Sequence, residues 1–165
     1  MEEGKEQVGF GHSPVSAKAL LEGKKVFPEM GDTVKAFYED KHVLVTGAAG
    51  SIGKPLYKAL KFLGAGVFGI DHDEKAIADL YYSGQEHLTL GDYGDSKAIL
   101  EEVGLSDPDI IFHCAAYKHV RLSEHVPQTY YKNNAVNIEP FMKSFPKSKL
   151  VLASTDKAAG TSKLG

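Results

Sequence analysis

Three regularly spaced glycines form the strongest candidate for chemistry in this sequence. Gly47, Gly50 and Gly53 lie in VLVTGAAGSIG, between a segment that predicts a buried strand and one that predicts a helix. In such a turn the first glycine permits a tight bend, the second lets the backbone approach a pyrophosphate, and the third permits close packing of helix on strand. Phosphates then bind at the helix N-terminus, where free amides and the helix dipole favour negative charge.

The spacing of this turn is GxxGxxG, one residue wider than the common dinucleotide fingerprint. Glycines also serve ordinary turns, but the strand before them and the helix after them favour phosphate binding. The residues predicted to hold a cofactor in this turn are Gly47, Ala49, Gly50, Ser51, Ile52 and Gly53.

A carboxylate ends the second predicted strand, AGVFGID. Asp71 can accept hydrogen bonds from the ribose hydroxyls of an adenosine and would repel a 2′-phosphate, which favours NAD over NADP. His72 follows directly and Lys75 is close in sequence, and either cation can weaken that repulsion. The alternative is that Asp71 or Asp73 only caps the next helix. The predicted cofactor residues here are Asp71 and His72.

Two further strand ends carry cofactor candidates. Asp92 and Tyr93 follow the third predicted strand, where an aspartate can reach the amino group of adenine. Ala115 and Ala116 follow the fourth strand and are small, so that a cofactor can lie against the backbone there, with Tyr117 next to them. In open parallel sheets, ligands bind at these carboxyl ends of strands.

Adjacent charges follow the last apolar segment, KLVLAST. From the residues alone, Asp156 and Lys157 are equally compatible with a solvated pair at a strand end and with a functional site. His113 and Cys114 lie in the apolar run IIFHCAA, where a core role is expected for both: a hydrogen-bonded histidine and a small, unreactive thiol. The seven histidines show no metal-ligand spacing, so no metal site is predicted.

The elements that position these residues alternate between strand and helix. Five apolar segments are separated by segments of helical periodicity, which predicts an α/β fold with a doubly wound parallel sheet of the Rossmann type. Right-handed crossovers give the strand order 3-2-1-4-5. We expect an N-terminal arm with short helices over residues 1–40 and a dinucleotide-binding domain over residues 41–165. The helix in PQTYYKNNAVNIEPFMKSF is expected to be disturbed near Pro140.

Composition excludes several classes of partner. The chain is 42% apolar and 25% charged, with a net charge of -3, which gives no electrostatic reason to bind nucleic acid or an anionic membrane. A single cysteine excludes an internal disulfide. Neither a signal peptide nor a membrane-spanning segment is evident, so a cytoplasmic protein is expected.

The motifs together resemble the extended short-chain dehydrogenase/reductase family. Two strings, FHCAAYKHVRLSEHVPQTYYKNNAVN and STDKA, are similar to those of the nucleotide-sugar 4,6-dehydratases that invert C5. Those enzymes act on UDP-N-acetylglucosamine in polysaccharide, capsule and glycan biosynthesis. The resemblance covers roughly residues 18–165 and implies an NAD(P) cofactor and a nucleotide-sugar substrate.

The resemblance also implies roles for particular residues. In the family's reaction C4 of the sugar is oxidised by hydride transfer to the nicotinamide, the C5 proton is removed, water leaves from C6, and the hydride returns to C6. Asp156 would protonate the leaving hydroxyl, Lys157 would take the C5 proton, and Thr155 would polarise or hold the sugar O4. The residues implied to bind the substrate are Lys118, His119 and Asn134.

The sequence departs from the family pattern near its end. Leu164 stands where the family has Tyr or Met, and a leucine cannot transfer a proton. The lysine that binds the nicotinamide ribose would lie beyond residue 165, so the domain is expected to be truncated relative to the family and inactive by itself. The alternative is a non-catalytic dinucleotide-binding module or subunit; an epimerase or reductase is a third hypothesis, against which STDKA argues. Exposed apolar surface at the last strand predicts a homo-oligomer.

Overall fold

The computed structural model describes residues 31–104 and 107–155. Its five strands form one parallel sheet in the order β3-β2-β1-β4-β5, which confirms the predicted fold class and strand order. The strands are β1 His42–Thr46, β2 Gly66–Asp71, β3 Leu88–Leu90, β4 Ile110–His113 and β5 Lys149–Leu152. The helices are α1 Asp32–Tyr38, α2 Gly53–Phe62, α3 Glu74–Tyr82, α4 Ser96–Val103, α5 Val120–His125, α6 Pro127–Tyr131 and α7 Ile138–Lys143.

Apolar residues bury both faces of the central strands. On one face, Val43 and Val45 of β1 pack with Tyr57 and Leu60 of α2. On the other face, Leu44 belongs to a second core cluster formed with β2, β4, α4 and α7. Adjacent residues of β1 therefore point into two separate cores, which is why the strand reads as an unbroken apolar run.

Local signals set the ends of the helices. The side chains of Asp73 and Asp95 accept hydrogen bonds from the amides of Ala76 and Ala98, at 3.0 and 3.2 Å, and so cap α3 and α4. Helix α4 ends at Gly104, whose φ of +57° is the left-handed conformation common after a helix. These caps set the first residues of the helices that follow β2 and β3 in the chain.

The expected helix before β5 is divided into α6, a π-helical turn over Lys132–Val136, and α7. The amide of Asn137 donates to the carbonyl of Lys132, five residues earlier, at 3.0 Å. Pro140 cannot donate a backbone hydrogen bond, and its ring crowds the carbonyl four residues before it, that of Val136. The disturbance predicted near Pro140 is therefore present, one turn ahead of the proline itself.

Helix α5 was not expected from the sequence pattern, whereas α1 was. Several sequence predictions fall outside the described residues, including the arm before residue 31 and the candidate residues Asp156, Lys157 and Leu164. Within residues 31–104 and 107–155, no helix is both long enough and apolar enough to cross a membrane.

Candidate functional site

The turn between β1 and α2 has a shape that only glycine allows at two positions. Gly47 has a φ of +67°, and a Cβ there would lie 2.8 Å from the backbone nitrogen of Ala115. A Cβ on Gly53 would lie 2.0 Å from the carbonyl oxygen of Gly47. The amide of Gly50 closes the turn by donating to the same carbonyl at 3.0 Å. The glycines are thus required by tight packing of the turn on β4 and on α2.

The N-terminus of α2 is open to a ligand. No side chain caps this ten-residue helix, and its N-cap position is occupied by Ile52, which is exposed. Ser51 is exposed beside it. An uncapped helix start directs free amides and the positive end of the dipole outwards, which suits an anion such as a pyrophosphate.

Asp71 joins this turn to the end of β2. Its side chain is 9% exposed, and its two carboxylate oxygens accept hydrogen bonds from the amides of Ala49, at 3.0 Å, and of Asp73, at 3.1 Å. His72 places its Nδ1 3.7 Å from the same carboxylate. Of the two aspartates considered as helix caps, Asp73 is the cap of α3, whereas Asp71 holds the glycine-rich turn. Sequence spacing gave no signal for the Ala49 contact.

The end of β3 brings one candidate to the surface and one into the core. Asp92 is exposed, and its carboxylate accepts a hydrogen bond from the amide of Gly94 at 2.8 Å. Tyr93 is 4% exposed and its hydroxyl donates to the carbonyl of Asn133. Burial raises the pKa of Tyr93 to about 12. The side chain of Tyr93 therefore packs in the core and is not exposed at the candidate site.

A cavity of about 260 Å³ lies beside Asp92, between the end of β3 and the start of α4. Its lining is mostly apolar and includes the two carboxylates of Asp92 and Asp95. The residues that line it are Ile70, Thr89, Leu90, Gly91, Asp92, Asp95, Ala98 and Ile99.

The loop after β4 is held in place by Asn134 of the π-helical turn. The side-chain oxygen of Asn134 accepts the amide hydrogen of Tyr117 at 2.9 Å, and its nitrogen donates to the carbonyl of Tyr117 at 2.8 Å. The ring of Tyr117 contacts the rings of His72, at 5.8 Å between centroids, and Tyr130, at 5.4 Å. The loops after β2 and β4 thus meet across the end of β1. Asn134 acts on the loop backbone, a role that its residue type alone did not indicate.

The remaining candidates also lie at the carboxyl edge of the sheet. Ala115 is half-buried, while Ala116, Lys118 and His119 are exposed. Thr155 is exposed three residues beyond β5. Apart from Tyr93, whose ring lies in the core, the described candidates for cofactor and sugar binding therefore lie at one edge of the sheet. That edge contains the point between β1 and β4 where the strand order reverses.

Cys114 follows β4 and is half-buried, with a thiol pKa raised by burial. A raised pKa keeps the thiol protonated and unreactive. The described residues contain no group of three or more His, Cys, Asp or Glu side chains that could hold a metal ion.

Comparison with known proteins gives a match to one family model. The model described as polysaccharide biosynthesis protein matches residues 43–164. An uncharacterized membrane protein of Methanocaldococcus jannaschii is 35% identical over 139 residues, which are 78% of this chain and 40% of that protein. The UDP-N-acetylglucosamine 4,6-dehydratase (inverting) of Campylobacter jejuni is 29% identical over 129 residues, which are 73% of this chain and 38% of the enzyme.

Solved structures give the same fold. The UDP-glucose 4-epimerase of Bifidobacterium longum, in complex with NAD+ and UDP, superposes with a TM-score of 0.61 at 27% identity. The match covers 74% of this chain and 39% of the epimerase. The chain thus spans about two fifths or less of the length of the relatives that it matches.

Proposed function

Because the chain belongs to the polysaccharide biosynthesis protein family, we propose that it is the NAD(P)-binding domain of a nucleotide-sugar 4,6-dehydratase of the UDP-N-acetylglucosamine type. The observation that carries this proposal is the glycine-rich turn. The backbone of Ala115 fills the space that a Cβ of Gly47 would need, the carbonyl of Gly47 fills that of a Cβ of Gly53, and the turn ends at an uncapped helix N-terminus. The dehydratase relative and the NAD-bound epimerase support the same cofactor and substrate class.

The described residues fit a dinucleotide. The pyrophosphate would lie on the amides between Gly50 and Gly53, and the adenosine ribose on Asp71. Asp92 stands where it can accept a hydrogen bond from an adenine amino group. Because the Asp71 carboxylate stands close to the ribose position and would repel a 2′-phosphate, NAD is favoured over NADP, even with the exposed His72 beside it.

The sugar would lie on the other side of the switch point. A bound nicotinamide supplies the acceptor for the hydride from C4 of the sugar. Lys118 and His119 would contact the substrate, and Thr155 would hold or polarise its O4. Asp156 would protonate the C6 hydroxyl as it leaves, and Lys157 would remove the C5 proton. These last two roles rest on the family resemblance of STDKA.

Two other functions deserve separate tests. A non-catalytic module would bind a dinucleotide and leave the sugar unchanged. An epimerase is favoured by the solved structures, which include the UDP-glucose 4-epimerase named above. The STDKA string, which resembles the dehydratases, favours dehydration over epimerisation.

Calorimetric titration of the 165-residue chain with NAD and NADP tests the cofactor. We expect NAD to bind about tenfold more tightly than NADP, a difference in binding free energy of roughly 1.4 kcal/mol, because Asp71 would repel the 2′-phosphate of NADP. Asp71→Asn should narrow this difference. Asp40→Asn, at an exposed position before β1 and at the opposite end of the sheet, is the matched control and should leave the difference unchanged. Failure to bind either dinucleotide would refute the proposal.

Mass spectrometry and proton NMR of UDP-N-acetylglucosamine incubated with the chain and NAD together separate the three functions. A dehydratase removes one water from the sugar nucleotide, an epimerase leaves its mass unchanged but alters its stereochemistry, and a binding module changes neither. Because the chain spans only part of its relatives, the incubation is repeated with the C-terminal part of the Campylobacter jejuni dehydratase added.

We also propose that the protein acts in the cytoplasm and self-associates. Its free cysteine fits a reducing compartment. The β5 residues Val151 and Leu152 are 47% and 45% exposed on opposite faces of the described edge of the sheet, which supports contact with another copy.

A further inference from the structure

Thr46 and His113 lie side by side at the carboxyl ends of β1 and β4. They are paired in the register of the sheet, and both side chains are buried, with 0% and 2% exposed. The Oγ1 of Thr46 is 2.8 Å from the Nδ1 of His113. These two strands flank the point where the strand order reverses, so the pair forms the floor of the candidate site.

The amide of Ala115 donates to the Oγ1 of Thr46 at 3.3 Å. A buried hydroxyl also needs an acceptor for its own proton, and the Nδ1 of His113 is the acceptor that the Oγ1 of Thr46 contacts. We therefore assign Thr46 as the donor and Nδ1 as an unprotonated acceptor. The proton of the neutral imidazole therefore lies on Nε2. Burial lowers the pKa of His113 to about 4, which keeps the ring neutral.

Aromatic rings hold the imidazole in this orientation. The ring of Tyr93 lies 4.5 Å from it in an edge-on arrangement, and that of Phe141 lies 5.9 Å away. From β5, Leu152 is its partner in register. Of these neighbours and Thr46, only Tyr93 titrates, at about pH 12, so no charged side chain faces the ring from these elements. Within the described residues, the Nε2 atom has no hydrogen-bond partner.

The chain of hydrogen bonds ends directly against the glycine-rich turn. A Cβ on Gly47 would lie 2.9 Å from the Cα of Ala115, in addition to its contact with the backbone nitrogen of Ala115. The amide that Thr46 holds therefore belongs to the backbone on which the first glycine packs. Any shift of Ala115 by a few tenths of an ångström changes the space available to the turn.

We propose that His113 is a positioning residue of the dinucleotide site: through Thr46 it fixes the amide of Ala115 and thereby the seat of Gly47 and the glycine-rich turn. His113 itself does not contact the dinucleotide. The proposal rests on the proposed function, because its consequence is a change in dinucleotide affinity.

Variants at both ends of the hydrogen bond test this by calorimetric titration with NAD. His113→Leu removes the acceptor of the Thr46 hydroxyl and should raise the Kd about fivefold, the order expected for one lost hydrogen bond. Thr46→Val removes the hydroxyl that also accepts the amide of Ala115, so it should raise the Kd at least as much. The double variant should bind no more weakly than Thr46→Val alone. His113→Asn keeps an acceptor near the Nδ1 position and should restore the Kd to within about twofold of the unmodified chain.

Matched controls separate positioning from general stability. Ser148→Ala removes a half-buried hydroxyl that donates to the carbonyl of Pro108 just before β5, at the opposite end of the sheet, and His125→Asn changes an exposed histidine. Both should leave the Kd unchanged, and thermal unfolding of every variant reports the fold. If His113→Leu does not fold, Thr46→Val and His113→Asn still decide the matter. Variants at Thr46 and His113 that change only the unfolding temperature, with an unaltered Kd, would overturn the proposal.

A spectroscopic readout is independent of dinucleotide binding. Nitrogen-15 NMR should show His113 protonated on Nε2 alone, and Thr46→Val should speed hydrogen exchange at the amide of Ala115. A proton on Nδ1, or unchanged exchange at Ala115, would contradict the inference. If NAD does not bind the unmodified chain, the proposed function fails, and this readout by itself decides whether the hydrogen-bond chain exists.

Discussion

Replacing Gly53 with alanine tests whether the glycine-rich turn is as tight as the structure indicates. A Cβ at this position would lie 2.0 Å from the carbonyl oxygen of Gly47, about 1 Å closer than real Cβ contacts come. The clash is with backbone, so no side chain can rotate to relieve it. Helix α2 cannot simply move away, because Tyr57 and Leu60 anchor it in the core.

We expect Gly53→Ala to destabilise the fold by about 3 kcal/mol, the upper part of the usual range for overpacking. For a chain of this size, that corresponds to a melting temperature lower by about 6 to 12 °C. The control is Gly84→Ala. Gly84 has a φ of +81° but open space around it, so alanine there adds strain without a clash. That strain is about 1–2 kcal/mol, partly offset by lower entropy of the unfolded chain.

Urea unfolding of both variants gives the comparison. A larger loss for Gly53→Ala than for Gly84→Ala supports the steric argument. An equal or smaller loss for Gly53→Ala would refute it, because the turn would then have room for a side chain. The proposal that the turn binds phosphate would then also lose the observation on which it mainly rests.

Three further predictions follow from burial and exposure. The pKa of His113 is lowered from 6.5 to about 4, so the unfolded state binds more protons than the folded state between these pH values. The free energy of unfolding, measured with urea, should therefore fall by up to about 3 kcal/mol as the pH falls from 6.5 to 4. His113→Asn should remove this dependence. Tyr93→Phe leaves the carbonyl of Asn133 without its hydroxyl donor, which should cost about 1–2 kcal/mol in denaturant unfolding. Sedimentation velocity should show self-association that is weakened by Val151→Lys with Leu152→Lys; a monodisperse monomer of the unmodified chain would contradict the proposed contact at β5.

The pH prediction has an internal control. His125 is exposed and does not contact His113, so His125→Asn should retain the pH dependence of the unmodified chain. A flat profile for the unmodified chain would mean that His113 is protonated in the folded state as readily as in the unfolded one.

The sheet and the glycine-rich turn could be predicted because their causes are local. An unbroken apolar run such as that of β1 indicates a strand buried on both faces, and parallel strands need crossovers of one hand. A glycine likewise marks a place where a Cβ would not fit, so residues 47, 50 and 53 identified the turn before its geometry was known.

Other features could not be read from local patterns. Asn134 holds the backbone of Tyr117 by two hydrogen bonds, although 17 residues separate them. Tyr93 looked like a cofactor residue by its place after β3, yet its ring lies in the core, because Phe141 and His113 pack against it. Such outcomes depend on neighbours from other elements.

Residue types and their order by themselves determined the fold class, the strand order, the glycine-rich turn and the edge of the sheet where the candidate residues gather. The tertiary structure alone decided which of them touch. Thr46 meets His113 although 67 residues separate them, and Ala49 meets Asp71 across 22. The first contact is set by the register of β1 and β4, and the second by the packing of the turn after β1 against the end of β2. No sequence spacing encodes either of them.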